Sequence, residues 1–133
     1  MTAVVDASAL AESLTDRPKG LAALAAMRRH AAGLHIPHLA VVETASVIRG
    51  WRISRQIQPR EAERALAELE EFPARRWPAD NLLGRIRELS PNLTAYDATY
   101  VALAESLDAI LITGDERLRR SARRLSAVAF EVI

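Results

Sequence analysis

The chain has 133 residues, half of them hydrophobic and about a quarter charged, which is typical of a folded globular protein and excludes an intrinsically disordered one. It contains no cysteine, which excludes disulfide bonds and thiolate metal sites, and the net charge of +1 indicates no particular partner by itself. No apolar run approaches the roughly 18 to 20 residues that crossing a bilayer requires, and no basic signal-peptide region precedes residues 2–6. We therefore expect a single cytoplasmic domain over residues 1–133, without a membrane partner.

Compact apolar runs alternate with helical periodicity in the first half of the chain. The predicted elements are a buried strand at 2–6, a helix beginning over 8–14, a helix at 18–32, a strand at 34–37, a helix at about 38–54 and a helix opened by Pro59. The apolar faces expected to pack inward are Leu21, Leu24, Ala25 and Met27 on the second helix, and Ala62, Leu66, Leu69 and Phe72 after Pro59.

The same alternation continues in the second half. The predicted elements are a short edge strand at 75–78, a helix at about 80–89, a helix from 94 to about 108, a strand at 109–113, a short helix from 115 and a last strand at 128–133. Strands separated by helices predict a three-layer α/β/α sandwich around a central, mainly parallel sheet.

Four carboxylates fall where an unpaired charge is costly. Glu43 and Asp97 lie on the apolar stripes of predicted helices. Asp6 ends the predicted strand at 2–6, and Asp115 lies two residues beyond the end of the predicted strand at 109–113; the carboxyl ends of such strands meet at one edge of a parallel sheet. The stripe companions are Leu39, Val47 and Trp51 for Glu43, and Val101 and Ala104 for Asp97. Since no lysine is placed to neutralise these acids, a bound divalent cation explains them more economically than four separate ion pairs.

Three of the acids also have a purely structural interpretation. Asp97 follows Thr94 by three residues, as in a capping box, and Asp115 would serve as the N-cap of its helix. Glu43 would pair with an arginine such as Arg49 or Arg52. Asp6 is the hardest of the four to explain without a ligand.

Arginine dominates the basic residues. Of 18 lysines and arginines only Lys19 is a lysine, and guanidinium groups match phosphate oxygens in pairs. A cluster follows Asp115 and comprises Arg117, Arg119, Arg120, Arg123 and Arg124. The alternative is that this cluster is only the solvated face of a helix in an arginine-rich chain.

Four segments, taken in order and spacing, resemble one protein family. They are VVDASAL at 4–10, PHLAVVE at 37–43, LTAYDA at 93–98 with YVALA at 100–104, and TGDERL at 113–118. Together they resemble PIN-domain ribonucleases and, more narrowly, the VapC toxins of bacterial toxin–antitoxin pairs. The resemblance covers nearly the whole chain, and the acidic positions show no departure from the pattern.

The resemblance implies a PIN-like fold and a nuclease that hydrolyses RNA phosphodiester bonds. It implies that Mg²⁺, with Mn²⁺ able to substitute, is held by the catalytic acids Asp6, Glu43, Asp97 and Asp115. Ser8 and Thr113 would support these acids, although a helix N-cap also explains Ser8 and a strand end also suits Thr113. We take Arg117, Arg119 and Arg120 as candidate RNA-binding residues.

The resemblance also implies partners. A toxin of this kind is held in check by a small VapB-like antitoxin, whose tail would place a basic side chain near Asp6 and Asp97. The helices at 8–32 and 59–72 offer apolar faces for an amphipathic helix, unless the core uses them entirely. Homodimerisation is implied by the family alone.

Other classes of protein fit less well. A response-regulator receiver needs a lysine after a late strand, where this chain has none, and a haloacid-dehalogenase phosphatase needs a second aspartate at the position of Ser8. Two alternatives within the fold remain: a housekeeping PIN nuclease that processes RNA, and an inactive PIN-like binding module. Retention of four acids argues against the inactive module, and a metal-dependent nuclease assay separates it from an enzyme.

Overall fold

The computed structural model describes residues 2–133, in which five short strands form one parallel sheet. The strands are β1 (Ala3–Val5), β2 (Leu34–Pro37), β3 (Arg75–Trp77), β4 (Ile110–Thr113) and β5 (Phe130–Val132). Their order is β3-β2-β1-β4-β5, and every neighbouring pair is parallel. The predicted mainly parallel sheet is therefore entirely parallel in the described residues, with β3 at an edge as its following proline requires.

Helices pack against this sheet in two outer layers. They are α1 (Ala7–Ser13), α2 (Gly20–Arg28), α3 (Leu39–Ile53), α4 (Pro59–Glu70), α5 (Leu83–Leu89), α6 (Ala95–Leu107) and α7 (Glu116–Ala122), and a 3₁₀ turn at Asp80–Leu82 precedes α5. Helix α1 packs on α2 and α3, α3 packs on α4, and α5 packs on α6. The predicted α/β/α sandwich is confirmed, and most helices are shorter than their predicted spans by a few residues at their ends.

The strand order creates a crevice at the middle of the sheet. The chain moves from β1 to β2 on one side and then returns to β4 on the other, so the connections leave β1 in opposite directions. The Asp6 N–H donates to the Ile112 carbonyl at 3.0 Å, which ties the end of β1 to the end of β4. Ligands of α/β sheets bind at such a switch point, and here Asp6 and Asp115 follow the two strands that form it.

The inward face of α2 differs from the prediction. Leu21 is 82% exposed, whereas Gly20, Ala23 and Met27 are buried. A Cβ on Gly20 would lie 2.7 Å from the Thr15 carbonyl oxygen, so α2 approaches the end of α1 more closely than any side chain there would allow. Close packing of small residues therefore decides which face is buried, and Leu21 is left toward solvent. Ala25 of the predicted face is also exposed.

The faces of α3 and α4 need similar corrections. On α4 the buried positions are Ala62, Ala65 and Leu69, while Leu66 is exposed. Phe72 lies beyond the helix and is partly buried.

On α3 the buried stripe is Ala40, Thr44 and Ile48. The predicted stripe of Leu39, Val47 and Trp51 is only partly buried, and Glu43 lies on this flank. Glu43 thus faces a cleft instead of the core. Nowhere in residues 2–133 is a helix both long and apolar enough to span a membrane.

Candidate active site

The carboxyl ends of β1 and β4, together with α1, α3 and α6, bound a cavity of about 290 Å³. Its lining residues are Asp6, Ala7, Ser8, Glu43, Ser46, Val47, Asp97, Tyr100 and Asp115. The structure therefore brings together the four acids predicted from distant segments. Ser46 and Tyr100 are lining residues that sequence reasoning did not single out.

Asp6 is the most enclosed of the four acids, with 5% of its surface exposed. It is the N-cap of α1, and its Oδ1 accepts hydrogen bonds from the Ala9 N–H at 3.0 Å and the Ser8 hydroxyl at 2.6 Å. The Thr113 hydroxyl donates to Oδ2. The alternative of Ser8 as an N-cap is wrong, because Asp6 holds that position and Ser8 lies inside the first turn. Both predicted supporting residues contact Asp6 directly.

The turn after β4 is fastened to the start of α1. The Gly114 N–H donates to the Ser8 hydroxyl oxygen at 2.8 Å, and the Asp115 N–H donates to the Thr113 hydroxyl oxygen at 2.9 Å. A Cβ on Gly114 would lie 3.3 Å from the Ser8 Oγ, which is tighter than an ordinary contact. Ser8 and Thr113 thus link Asp6 to the turn that carries Asp115.

Glu43 enters the cavity from α3 and is held by a tyrosine. The Tyr100 hydroxyl donates to the Glu43 Oε1 at 2.6 Å. The alternative pairing with Arg49 or Arg52 is wrong, since within residues 2–133 neither arginine forms an ion pair with Glu43. One signal in the sequence pointed to Tyr100: it follows Asp97 by three residues, which places both on one face of a helix.

Asp97 and Asp115 combine a helix-start position with a place in the cavity. The Asp97 N–H donates to the hydroxyl of Thr94, the N-cap of α6, at 3.1 Å. Asp115 is the N-cap of α7 and accepts from the Arg117 N–H at 2.9 Å. Asp115 is thus a helix N-cap as expected, and Asp97 forms the Thr94 half of a capping box through its backbone N–H, while both acids also line the shared cavity.

The acids lie close enough to oppose one another's ionisation. Burial raises the pKa of Asp6, although hydrogen bonds from Ser8 and Thr113 act in the opposite sense. Burial also raises the pKa of Glu43, and the charges of Asp97 and Asp6 add to that rise. The pKa of Asp97 is raised by burial and then by the charge of Asp115. Burial and the hydrogen bond to Glu43 raise the pKa of Tyr100 far above its usual value, so the phenol keeps its proton.

The lining suits a hard cation by its chemistry. It offers carboxylate and hydroxyl oxygens and contains no lysine, arginine or histidine. As the side chains stand in residues 2–133, no group of three or more His, Cys, Asp or Glu residues is arranged so that it could hold a metal ion. Mg²⁺ commonly binds through one or two carboxylates and retained waters, so the donor set fits such an ion without a preformed cage.

A family model described as PIN domain matches residues 3–124. The chain belongs to the PIN-domain family. Within this family it is similar to Ribonuclease VapC9 of Mycobacterium tuberculosis, with 40% identity over 115 residues that cover 86% of this chain and 87% of the relative. The resemblance to VapC ribonucleases that the motifs indicated is thereby confirmed.

Two solved structures share the fold. PAE2754 from Pyrobaculum aerophilum superposes with a TM-score of 0.67 and 26% identity, covering 99% of this chain and 84% of that chain. VapC20 of Mycobacterium tuberculosis, described as a sarcin-ricin loop cleaving toxin, has a TM-score of 0.67 and 16% identity, covering 90% of this chain and 95% of that chain. At that identity the second likeness concerns the fold alone.

The arginine cluster of this PIN domain is only partly free to meet a ligand. Arg119 forms an ion pair with Glu116 on the same helix. Arg117 is 83% exposed at its side chain and lies 3.5 Å, Nε to Oδ1, from Asp115. Its charge also acts to lower the pKa of Asp97, and its neighbour Asp115 lines the acidic cavity. Arg120 is exposed.

An apolar groove of about 390 Å³ lies between α2 and the end of α4 in this PIN domain. Its apolar lining consists of Leu14, Leu24, Met27, Ala31, Leu34, Phe72 and Pro73, and polar groups are supplied by Ser13, Arg28, Glu68 and Glu71. The faces of the predicted helices at 8–32 and 59–72 are thus not wholly consumed by the core.

Proposed function

We propose that this PIN-domain protein is a metal-dependent endoribonuclease that acts as the toxin of a toxin–antitoxin pair. Its catalytic and metal-holding residues are Asp6, Glu43, Asp97 and Asp115, within a single PIN domain over residues 1–133. One observation carries the proposal: four acids from four distant segments line one cavity at the switch point of the sheet, and no basic side chain lines it with them. The 40% identity to a relative named as a VapC ribonuclease supports the same activity.

The residues of the site divide the work of cleavage. Asp6, Glu43, Asp97 and Asp115 supply the oxygens that would hold Mg²⁺ or, in its place, Mn²⁺. The bound ion would supply a water of lowered pKa and offset negative charge on the phosphorane-like transition state. Ser8 and Thr113 hold the Asp6 carboxylate in one orientation. Because hydroxyl donors already engage both Asp6 oxygens, that carboxylate is arranged before any substrate arrives.

Arginines of α7 would hold the RNA. Arg117 leads this set because it is exposed and adjoins Asp115, so a phosphate bound to its guanidinium would lie beside the acids. Arg120 extends the same basic surface, while Arg119 must share its guanidinium with Glu116. Single-stranded or looped RNA is the proposed substrate, because its backbone can enter a small cavity that a duplex cannot.

A cleavage assay tests the proposal. Purified protein is expected to cut single-stranded or looped RNA only with Mg²⁺ or Mn²⁺, and chelation should stop it. Asp6→Asn and Asp97→Asn keep the side-chain shape and remove a charge, so each should lower the cleavage rate by about 100-fold or more. Glu63→Gln, on the exposed surface of α4, is the matched control and should cleave like the parent. Full activity in Asp6→Asn or Asp97→Asn, or cleavage that persists in chelator, would contradict the assignment.

The apolar groove is the proposed docking site of the antitoxin. An amphipathic helix would bury its apolar residues against Leu24 and Phe72, and basic residues on its flank would meet Glu68 and Glu71. The antitoxin tail would continue to the acidic cavity and place an Arg or Lys side chain near Asp6 and Asp97.

We also propose a homodimer acting in the cytoplasm. The dimer is proposed from the family resemblance alone. Sedimentation equilibrium would give twice the mass of one chain for a dimer and a single mass of 14.6 kDa otherwise.

A further inference from the structure

We propose that Tyr100 is a positioning residue that fixes the Glu43 carboxylate for binding of a divalent cation. This inference rests on the proposed metal-dependent function and adds a residue to it. Tyr100 would act through Glu43 and would not itself touch the cation or the RNA.

The hydrogen bond between the two side chains is short and enclosed. The Tyr100 hydroxyl donates to the Glu43 Oε1 at 2.6 Å, and only 2% of Tyr100 is exposed. A glutamate side chain has three rotatable torsions, and Glu43 is half-buried on the flank of α3 with room to move. Anchoring one oxygen to a buried phenol restricts those torsions.

The anchor leaves the other carboxylate oxygen for a ligand. Within residues 2–133 no backbone or side-chain donor forms a hydrogen bond to the Glu43 Oε2. Glu43 lines the cavity with the other three acids. The phenol therefore holds one carboxylate oxygen, and the other is available to a cation.

Helix α6 contributes to the cavity twice through this bond. Asp97 and Tyr100 are three residues apart and so share a face of α6. One supplies a carboxylate directly, and the other holds the carboxylate that α3 brings. Helix α6 thus helps to place both carboxylates relative to each other.

A purely structural role predicts a different result. If Tyr100 only filled space, phenylalanine would replace it with a change in stability and none in affinity for a cation. If it positions Glu43, removing the hydroxyl should weaken the cation site even in a folded protein, because groups that orient metal ligands commonly contribute about 10- to 100-fold to affinity.

Binding of Mn²⁺ alone, followed by the electron paramagnetic resonance signal of the free ion, measures this directly. Tyr100→Phe is expected to bind Mn²⁺ about 10- to 100-fold more weakly than the parent. Tyr96→Phe, which removes the same hydroxyl from an exposed tyrosine of the same helix, should bind like the parent. In a Glu43→Gln background, Tyr100→Phe should cause no further loss, because its effect passes through Glu43.

Fluorine NMR gives a second readout that keeps the Tyr100 hydroxyl in place. The chain has two tyrosines, so labelling with 3-fluorotyrosine gives two resonances, which Tyr96→Phe assigns. Titration with Mg²⁺ should shift the Tyr100 resonance and leave that of Tyr96 in place. Glu43→Gln should abolish the shift.

The outcomes separate the two proposals. Equal Mn²⁺ affinity in the parent and in Tyr100→Phe, with weaker binding in Asp6→Asn, would overturn the role of Tyr100 and leave the metal site standing. Failure of the parent to bind Mn²⁺ would overturn both. If Tyr100→Phe did not fold, a Tyr100 resonance that stayed fixed while Mg²⁺ stabilised the parent against heat would overturn the positioning role by itself.

Discussion

Asp6 performs two tasks with one carboxylate. As the N-cap of α1 it satisfies the Ala9 N–H, and as a cavity residue it presents oxygens that Ser8 and Thr113 hold in place. Asp115 likewise caps α7 and lines the cavity. Because an N-cap is fixed by the helix it starts, these acids gain a defined position from ordinary helix capping. Their capping roles therefore support a function at this edge of the sheet and do not compete with it.

Burial of the acids, together with their mutual repulsion, predicts a pH effect on the stability of the metal-free protein. The pKa values of Asp6, Glu43 and Asp97 are raised in the folded state, chiefly by burial, so the folded chain holds protons that the unfolded chain has released. The stability they contribute is complete below the unfolded values, near pH 4, and is lost as pH rises through the raised folded values. Asp97→Asn lacks one of these carboxylates, so it should lose less stability than the parent as the pH rises.

Thermal unfolding in chelator checks this expectation. The melting temperature of Asp97→Asn should rise relative to the parent as the pH goes from about 4.5 to 8, and Mg²⁺ at pH 8 should narrow the gap by stabilising the parent. Glu63→Gln, which removes an exposed carboxylate from the middle of α4, is the control. If the difference in melting temperature between Asp97→Asn and the parent stayed constant across the pH range, ionisation of Asp97 would not destabilise the folded chain.

Helix α7 begins at the site residue Asp115 and carries the first arginines of the cluster. Arg117→Glu should weaken RNA binding at every sequence and lower the slope of log affinity against log salt by about one, because one phosphate contact is lost. Arg60→Glu, on the exposed start of α4, changes charge equally and should alter the slope less. Filter binding from 50 to 300 mM salt, with the inactive Asp6→Asn chain as parent, makes the comparison. Equal slopes for the two arginine variants would indicate that the arginine cluster is only a solvated helix face and does not contact RNA.

The elements also show what sequence patterns can and cannot predict. Apolar runs such as 109–113 identify strands because a strand covered on both faces leaves little choice of residue. The face of α2 was mispredicted because Gly20 allows a close approach that periodicity does not register, and Leu21 is left exposed. The pairing of Glu43 with Tyr100 spans 57 positions in the chain, so only the fold reveals it. Acidic residues after strands were placed together correctly since sheet topology alone brings them to one edge.

The whole molecule has two proposed binding surfaces that can be mutated independently of each other. The acidic cavity lies at the switch point of the sheet, and the apolar groove lies between α2 and α4. They share no lining residue, so the proposed antitoxin contact can be broken without touching the acids. This separation makes the toxin proposal testable in cells.

Expression of the chain alone is expected to arrest growth, and co-expression of the product of an adjacent small open reading frame should restore it. Leu24→Asp places a charge in the apolar groove, so the variant should arrest growth even with that partner present. Leu83→Asp, at a 60% exposed leucine of α5 outside the groove, should still be neutralised. If expression were harmless although the chain cleaves RNA in vitro, the toxin proposal would be wrong and a housekeeping PIN nuclease would be the better interpretation.

We propose that four carboxylates at the switch point of one parallel sheet hold a divalent cation. Crystals soaked in Mn²⁺ and measured at a wavelength that maximises its anomalous signal would locate the ion. We expect an anomalous peak in the cavity lined by Asp6, Glu43, Asp97 and Asp115, with the ion bonded to at least one of these carboxylates directly and to others directly or through water. A saturating soak that left the cavity without a peak, or placed Mn²⁺ only on surface acids elsewhere, would contradict it.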